Sequence, residues 1–258
     1  MYSSEHKIYL KKLKRQKNII LFFKIFIIIS FLICWEILAK TEIINPFLTS
    51  YPTQIISTIF DLFKENNLLT HIFVTLYETI ISFSLATIVG LIIATILWSN
   101  NTIAKILDPY LTVLNSLPKI SLGPLLIIWI GANTKSIIFM ALLISVFTTI
   151  INMYNAFKTT DPYKITLMKS FNASKLQIFK KLIFRGNIPS LINTLKINIS
   201  LSLIGVIMGE LLISKQGLGY LITFGTQVFN LNLVITSIFI LAIISYLLYI
   251  LIDLIEKK

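Results

Sequence analysis

Lys119 is the residue whose chemistry stands out first. It lies in an apolar run between Pro118 and Gly123-Pro124, with Asp108-Pro109 upstream. A charged side chain at the centre of a lipid bilayer costs roughly 2.5–3.5 kcal/mol on insertion scales unless it is paired or hydrated. Each proline removes a backbone donor and kinks a helix. In lipid that is tolerable only where protein or a wet cavity receives the freed groups. Broken backbone beside a cation is therefore what one wall of a path for an anion would contain. The competing reading is a lysine that snorkels, or is ion-paired, at one end of a span. Gly209-Glu210 offers a second group: its carboxylate can bond backbone N–H groups in the following QGLGYL turn, or line an outer mouth. Glu36 and Glu78 also stand in apolar surroundings, where each would pair with another helix or subunit.

Other chemistries lack their parts. The two histidines, His6 and His71, are far apart in sequence, so neither a Ser/His/Asp constellation nor a metal-ligand spacing forms. Cys34 is the single cysteine and makes no internal disulfide. No G-x-x-x-x-G-K-[ST] phosphate loop occurs, and GLGYLITFG (217–225) follows no strand. The expectation is a chain with no catalytic residue, no metal, no bound cofactor and no ATP hydrolysis of its own.

These residues are positioned by lipid-compatible helices. Of the 258 residues 56% are hydrophobic and only 13% charged, against about 25% charged in a soluble domain, and mean hydropathy is +0.85. The apolar residues form continuous runs rather than alternating, so helices are read, not strands. An all-α membrane protein follows, with six predicted spans near 19–39, 73–98, 107–130, 136–157, 191–213 and 231–253. Residues 1–18 form a basic N-terminus and 19–258 one transmembrane domain; no second domain or internal repeat is seen. The first apolar run is too long for the h-region of a cleaved signal peptide and reads as a retained helix. Between the first two spans, Ile55, Ile56, Ile59, Phe60 and Phe63 mark an amphipathic helix on the membrane surface.

The net charge of +12 is a topology signal rather than a nucleic-acid footprint. With the N-terminus inside, 18 of the 23 lysines and arginines fall on that side, Lys7, Lys257 and Lys258 included. Lys40, Lys64, Lys135 and Lys215 fall outside, and Lys119 lies within a span. That bias places both termini in the cytoplasm, where anionic lipid also holds the cations.

One polar stretch, 161–190, interrupts the apolar pattern on the same side. Asp161-Pro162 is a helix start, and Ile165, Met168 and Phe171 recur at helical spacing. Asn172 tolerates the left-handed turn that ends a helix. Ser174 with Gln177 forms a capping-box pattern before Leu176, Phe179, Leu182 and Ile183. The stretch is a cytoplasmic helical hairpin, either a connector lying on anionic lipid or a ridge that docks into a partner's groove.

The order of spans, with LNSLPKISLGPLLIIWIG (114–131), SFNASKLQIFKKLIF (170–184) and GELLISKQGLGYLI (209–222), resembles the inner-membrane permeases of binding-protein-dependent ABC importers. The resemblance runs from about Trp35 to the C-terminus and is nearest to the sulfonate, taurine and nitrate branch. It implies a type I importer fold in which the hairpin between spans four and five is the coupling helix seated in a separate ATPase. Asp161, Ile165, Thr166, Leu167, Met168, Phe171, Asn172, Ala173 and Phe179 are then the coupling residues, and Pro118, Lys119, Gly209 and Glu210 belong to the path. The family's E-A-A-x-x-x-G pattern is altered here: Thr166, Leu167 and Met168 stand for Glu-Ala-Ala and Asn172 for the glycine. A later proline of the pattern falls on Arg185, while Pro189 agrees.

The resemblance further implies a second permease copy, ATP used by partner ATPase subunits and an extracytoplasmic solute-binding protein. It implies the bacterial cytoplasmic membrane and a small polar, often anionic solute such as a sulfonate, taurine or nitrate; similar permeases also carry vitamin precursors such as pyrimidines. An ion-gradient-driven carrier would favour inverted repeats with matched carboxylates, and a membrane-embedded enzyme would need a nucleophile, base or metal cluster. Neither set is visible.

Overall fold

Backbone groups in lipid must be satisfied within the segment that carries them. The computed structural model, which describes residues 4–64 and 67–256, meets that demand with helices alone among the described residues. Lys257 and Lys258 lie outside the described residues, as do the side chains of His6 and Lys7.

Helix α1 (Ser4–Lys40) runs without a break through the basic N-terminus into the first apolar run. Then come α2 (Pro46–Thr49), α3 (Pro52–Lys64), α4 (Leu68–Ser99) and α5 (Asn101–Ser116). A 3-10 turn (Lys119–Leu122) leads into α6 (Gly123–Ile130) and α7 (Thr134–Lys158). The hairpin holds α8 (Pro162–Ser170) and α9 (Lys175–Ile178), the latter continuing as a π-helical turn (Phe179–Phe184). Helices α10 (Ile188–Ile213), α11 (Leu218–Gln227) and α12 (Leu231–Glu256) complete the chain.

Helices α1, α4, α7, α10 and α12 are each long and apolar enough to cross a membrane. The third apolar run is different. Helix α5 and the segment Lys119–Ile130 qualify only as a pair, bent by 84° between Ser116 and Lys119. The interruption expected at Pro118 is thus a sharp turn of the chain rather than a mild kink.

The centre is α7, with α4 and α10 packed along it. Small residues make the second contact possible. A methyl group added at Gly205 would lie 2.5 Å from the Ala141 Cα, and one at Gly209 would lie 3.1 Å from the Ile137 Cα. In lipid, where apolar side chains gain little by leaving one apolar medium for another, such close backbone approach is a main source of helix association. Polar groups add to it. Asn198 Nδ2 donates to Thr149 Oγ1 (2.5 Å) and Thr87 Oγ1 (3.2 Å), joining α10 to α7 and α4. Ser202 Oγ donates to Ser145 Oγ (3.2 Å). Helices α11 and α12 close over α10 through Leu218, Leu221, Leu233, Ile240 and Ile244. At the opposite end, Lys196 Nζ meets Asp253 and Glu256, each at 2.6 Å.

Helix α3 divides its apolar residues. Ile55 is buried and Ile59 and Leu62 pack toward α12, while Ile56, Phe60 and Phe63 are exposed. Glu36 finds its partners locally, accepting from Thr53 N (3.1 Å) and Thr53 Oγ1 (2.7 Å) and pairing with Lys40 (2.7 Å), so the end of α1 is pinned to the start of α3.

A leucine at position 205 should therefore force α10 away from α7. Gly205→Leu is expected to destabilise the fold by about 1–3 kcal/mol, read as a lowered unfolding midpoint in detergent. Gly186→Ala meets no atom within 4 Å and should leave that midpoint unchanged.

Candidate coupling hairpin and transport path

The hairpin forms as its sequence directs. Asp161 Oδ1 accepts from Tyr163 N (2.9 Å), capping α8, and Pro162 occupies its first turn. Asn172 takes the left-handed conformation (φ 55°). Ala173 N donates to Met168 O (3.1 Å) and Asn172 N to Lys169 O (2.9 Å), the paired bonds of a Schellman termination. The Ser174–Gln177 capping box is closed in both directions.

Of the nine candidate coupling residues four turn inward and five (Asp161, Thr166, Leu167, Phe171 and Asn172) are exposed. Ile165, Met168, Ala173 and Phe179 turn inward, onto a cluster made by Ala94, Met153, Phe157, Ile178 and Ile183. Phe179 is the wedge: its ring lies 5.1 Å from Trp98 of α4 and 5.5 Å from Phe157 of α7. Lys175 Nζ donates to Ser99 O at the end of α4, and Asn187 Nδ2 donates to Thr160 Oγ1 (2.9 Å), closing the hairpin's base. Tyr163 (84%), Leu167 (57%) and Phe171 (75%) are exposed. The apolar ridge read from sequence was Ile165, Met168 and Phe171. The structure keeps Phe171 on the outside and turns the other two against the chain's own helices. Thr166 is exposed, but its hydroxyl bonds back to Pro162 O (3.0 Å).

At the break in the third run, Pro118 is exposed and Lys119 half-buried. Lys119 Nζ donates to Asn115 O (2.7 Å), satisfying a terminal carbonyl of α5, and stands 5.5 Å from the Phe147 ring centre. Neither contact is with a carboxylate.

Glu210 is 1% exposed. Its Oε1 accepts from Thr75 Oγ1 (2.7 Å) and its Oε2 from Gly219 N (2.6 Å). Thr75 Oγ1 in turn accepts from Leu218 N (2.9 Å), and His71 Nδ1 accepts from Gly217 N (2.9 Å). Three successive amides at the start of α11, which has no local side-chain cap, are thus satisfied by α4 and α10. A carboxylate at a helix N-terminus is also favoured by the helix dipole. Gly217 has φ 105°, and a methyl group there would strike the Glu210 carboxylate. Gly209, on the preceding turn face, supports the same end of α10 by packing on Ile137. The bonding of the QGLGYL turn is thus the geometry Glu210 adopts. His71 and Thr75 were missed in the sequence, because nothing local to them signals a partner some 140 residues away.

Two clefts flank the loop this network holds. One, of about 640 Å³, is lined by Asp61, His71, Lys215 and Tyr220 among others. The other, of about 490 Å³, is lined by Glu78, Asn133, Thr134, Lys215 and Gln216 among others. Glu78 is fully buried beside Glu210.

Removing the Glu210 carboxylate should release this loop first. In Glu210→Ala, amide exchange across 214–219 is expected to accelerate by roughly tenfold or more, since an unpaired buried group costs about 1–3 kcal/mol. Hydrogen–deuterium exchange read by mass spectrometry checks it against the hairpin, which should be unchanged.

Comparison with known proteins agrees with this architecture. The sequence model of the binding-protein-dependent transport system inner membrane components matches residues 86–258. The formylaminopyrimidine transport permease ThiX of Halalkalibacterium halodurans is 29% identical, over 84% of this chain and 86% of its own length. An ABC transporter permease of Haemophilus influenzae is 32% identical, over 71% of this chain and 75% of its own. In structure, the chain superposes on a chain of the MetNI methionine ABC transporter, in an inward-facing conformation, with a TM-score of 0.66 at 20% identity, covering 74% of this chain and 94% of that one. A chain matched by the family over two-thirds of its length, and folded as a type I ABC importer permease is folded, is a multi-pass membrane protein and no enzyme: it belongs to the binding-protein-dependent transport system inner membrane component family, the permease subunits of ABC importers.

Proposed function

We propose that two copies of this chain form the translocation path of an importer in the bacterial cytoplasmic membrane, with both termini in the cytoplasm. Two ATPase subunits sit beneath, each receiving an exposed hairpin, and a solute-binding protein delivers cargo from outside. The cargo is a small polar solute of the sulfonate, taurine or nitrate kind. Relatives named for the transport of aliphatic sulfonates, taurine and nitrate support that class, as does the Lys119 ammonium, held by the neutral Asn115 beside broken backbone. Those named for formylaminopyrimidine and riboflavin widen it. The carboxylate-free surroundings of Lys119 favour an anion over a cation.

The observation that carries the coupling reading is the division of the hairpin. Its inner residues are locked onto the ends of α4 and α7, and its outer ones, Tyr163, Leu167 and Phe171, are large, apolar and uncovered. A connector lying on lipid needs no such wedge as Phe179. In the proposed cycle, ATP-driven closure of the ATPases displaces the hairpins, and the helix pairs move between inward-open and outward-open packings. Pro118 and Lys119 line the path; Gly209 and Glu210 hold its outer end in shape.

The test separates docking from folding. Leu167→Asp with Phe171→Asp should abolish co-purification of the partner ATPase and leave the unfolding midpoint unchanged. Phe179→Ala should lower the midpoint as well, by about 3–5 kcal/mol if the site cannot collapse. Retained ATPase association in the Asp variant would defeat the coupling reading.

A further inference from the structure

We propose that one face of α1 is a binding slot for a single anionic phospholipid. The slot is an open groove formed by α1 alone, of about 490 Å³, and is lined by Lys11, Lys14, Arg15, Asn18, Ile19, Phe22 and Phe23. These positions recur at three- and four-residue intervals, so they share one side of the helix. The order along that side is what identifies the ligand. Three cations and an amide lie above, and an isoleucine and two phenyl rings lie below, with the change from one to the other at Asn18–Ile19. Among the described residues, no carboxylate lines it.

The upper half suits a phosphodiester. Arginine presents a planar fork of donors that matches phosphate oxygens, while the two lysines act as mobile point charges. The lower half suits an acyl chain: Phe22 and Phe23 are exposed (63% and 56%), with ring centres 5.7 Å apart, and Phe22 continues onto Phe26 at 6.1 Å. A free phosphate or an acidic peptide would meet the cations and leave the rings uncovered. A lipid covers both halves at once. The depth is also right. Helix α1 has 37 residues, about 55 Å at 1.5 Å per residue, against a hydrocarbon core of about 30 Å. If its apolar part crosses the bilayer, Asn18 falls at the headgroup layer. This rests on α1 spanning the membrane and is independent of the solute carried or of ATPase docking.

The test uses the full chain in phosphatidylcholine nanodiscs with phosphatidylglycerol titrated in, and native mass spectrometry to count retained lipid. Wild type should hold one phosphatidylglycerol that survives after bulk lipid is stripped. Lys14→Gln with Arg15→Gln should weaken that retention by roughly tenfold or more. Lys17→Gln with Lys24→Gln removes the same charge from the opposite side of α1 and should leave it intact. Phe22→Ala should weaken retention of the lipid. Equal losses from the two charge pairs would reduce the effect to diffuse attraction and overturn the slot. So would wild type retaining no more phosphatidylglycerol than phosphatidylcholine, or inorganic phosphate competing at millimolar concentration.

Discussion

The close approach of α7 and α10 is the constraint on which the rest of the molecule depends. Gly205 and Gly209 bring the two backbones together along one flank, and Asn198 and Ser202 hydrogen-bond across the same pair further along. In lipid, association cannot draw on expulsion of water, so contact distance and shared hydrogen bonds decide whether two helices move as one. Here both are present, over helices of 25 and 26 residues. One end of the pair carries the hairpin, through Phe157 on α7 and Asn187 just before α10. The other carries the loop before α11, through Glu210. The proposed site of force and the proposed outer mouth are thus opposite ends of one packed unit, with no loose joint between them.

The third apolar run stands in contrast. Its 84° bend lies between two helices that are largely exposed in the single chain, and Lys119 stabilises the break by bonding a terminal carbonyl of α5. A lysine in that role need not be desolvated into a pair. Its ammonium is held by neutral oxygens and a ring face, contacts that an incoming anion can share. Of the readings of Lys119 made from sequence, the ion pair is not formed among the described residues; the ammonium bonds Asn115 O instead, and its place on a path belongs to the proposed function.

Local rules were legible in the sequence where the determinant was local. The cap at Asp161, the left-handed Asn172, the Ser174–Gln177 box and the break at Pro118 each follow from neighbours within a few residues. The resemblance supplied the architecture. What stayed hidden was long-range. Thr75 and His71 read as ordinary residues in an apolar helix until the start of α11 arrives beside them. The G-x-x-x-G spacing of 205–209 was visible and passed over, because spacing alone does not say which helix will face it. Ile165 and Met168 pack partly onto the chain's own helices, which periodicity could not show, since it defines an apolar side but not what covers it.

The altered coupling pattern follows from the same geometry. Asn172 supplies the left-handed turn that a glycine would, with its own N–H donating to Lys169 O and that of Ala173 to Met168 O, as a Schellman ending requires. Thr166, in place of a glutamate, folds its hydroxyl onto Pro162 O and offers no charge outward. The shape of the hairpin is therefore preserved while its outward chemistry shifts from ionic to apolar, carried by Tyr163, Leu167 and Phe171 and rimmed by exposed Lys164 and Lys169. The outward face of the hairpin thus presents the Asp161 carboxylate at its start, with Lys164 and Lys169 beside the apolar side chains.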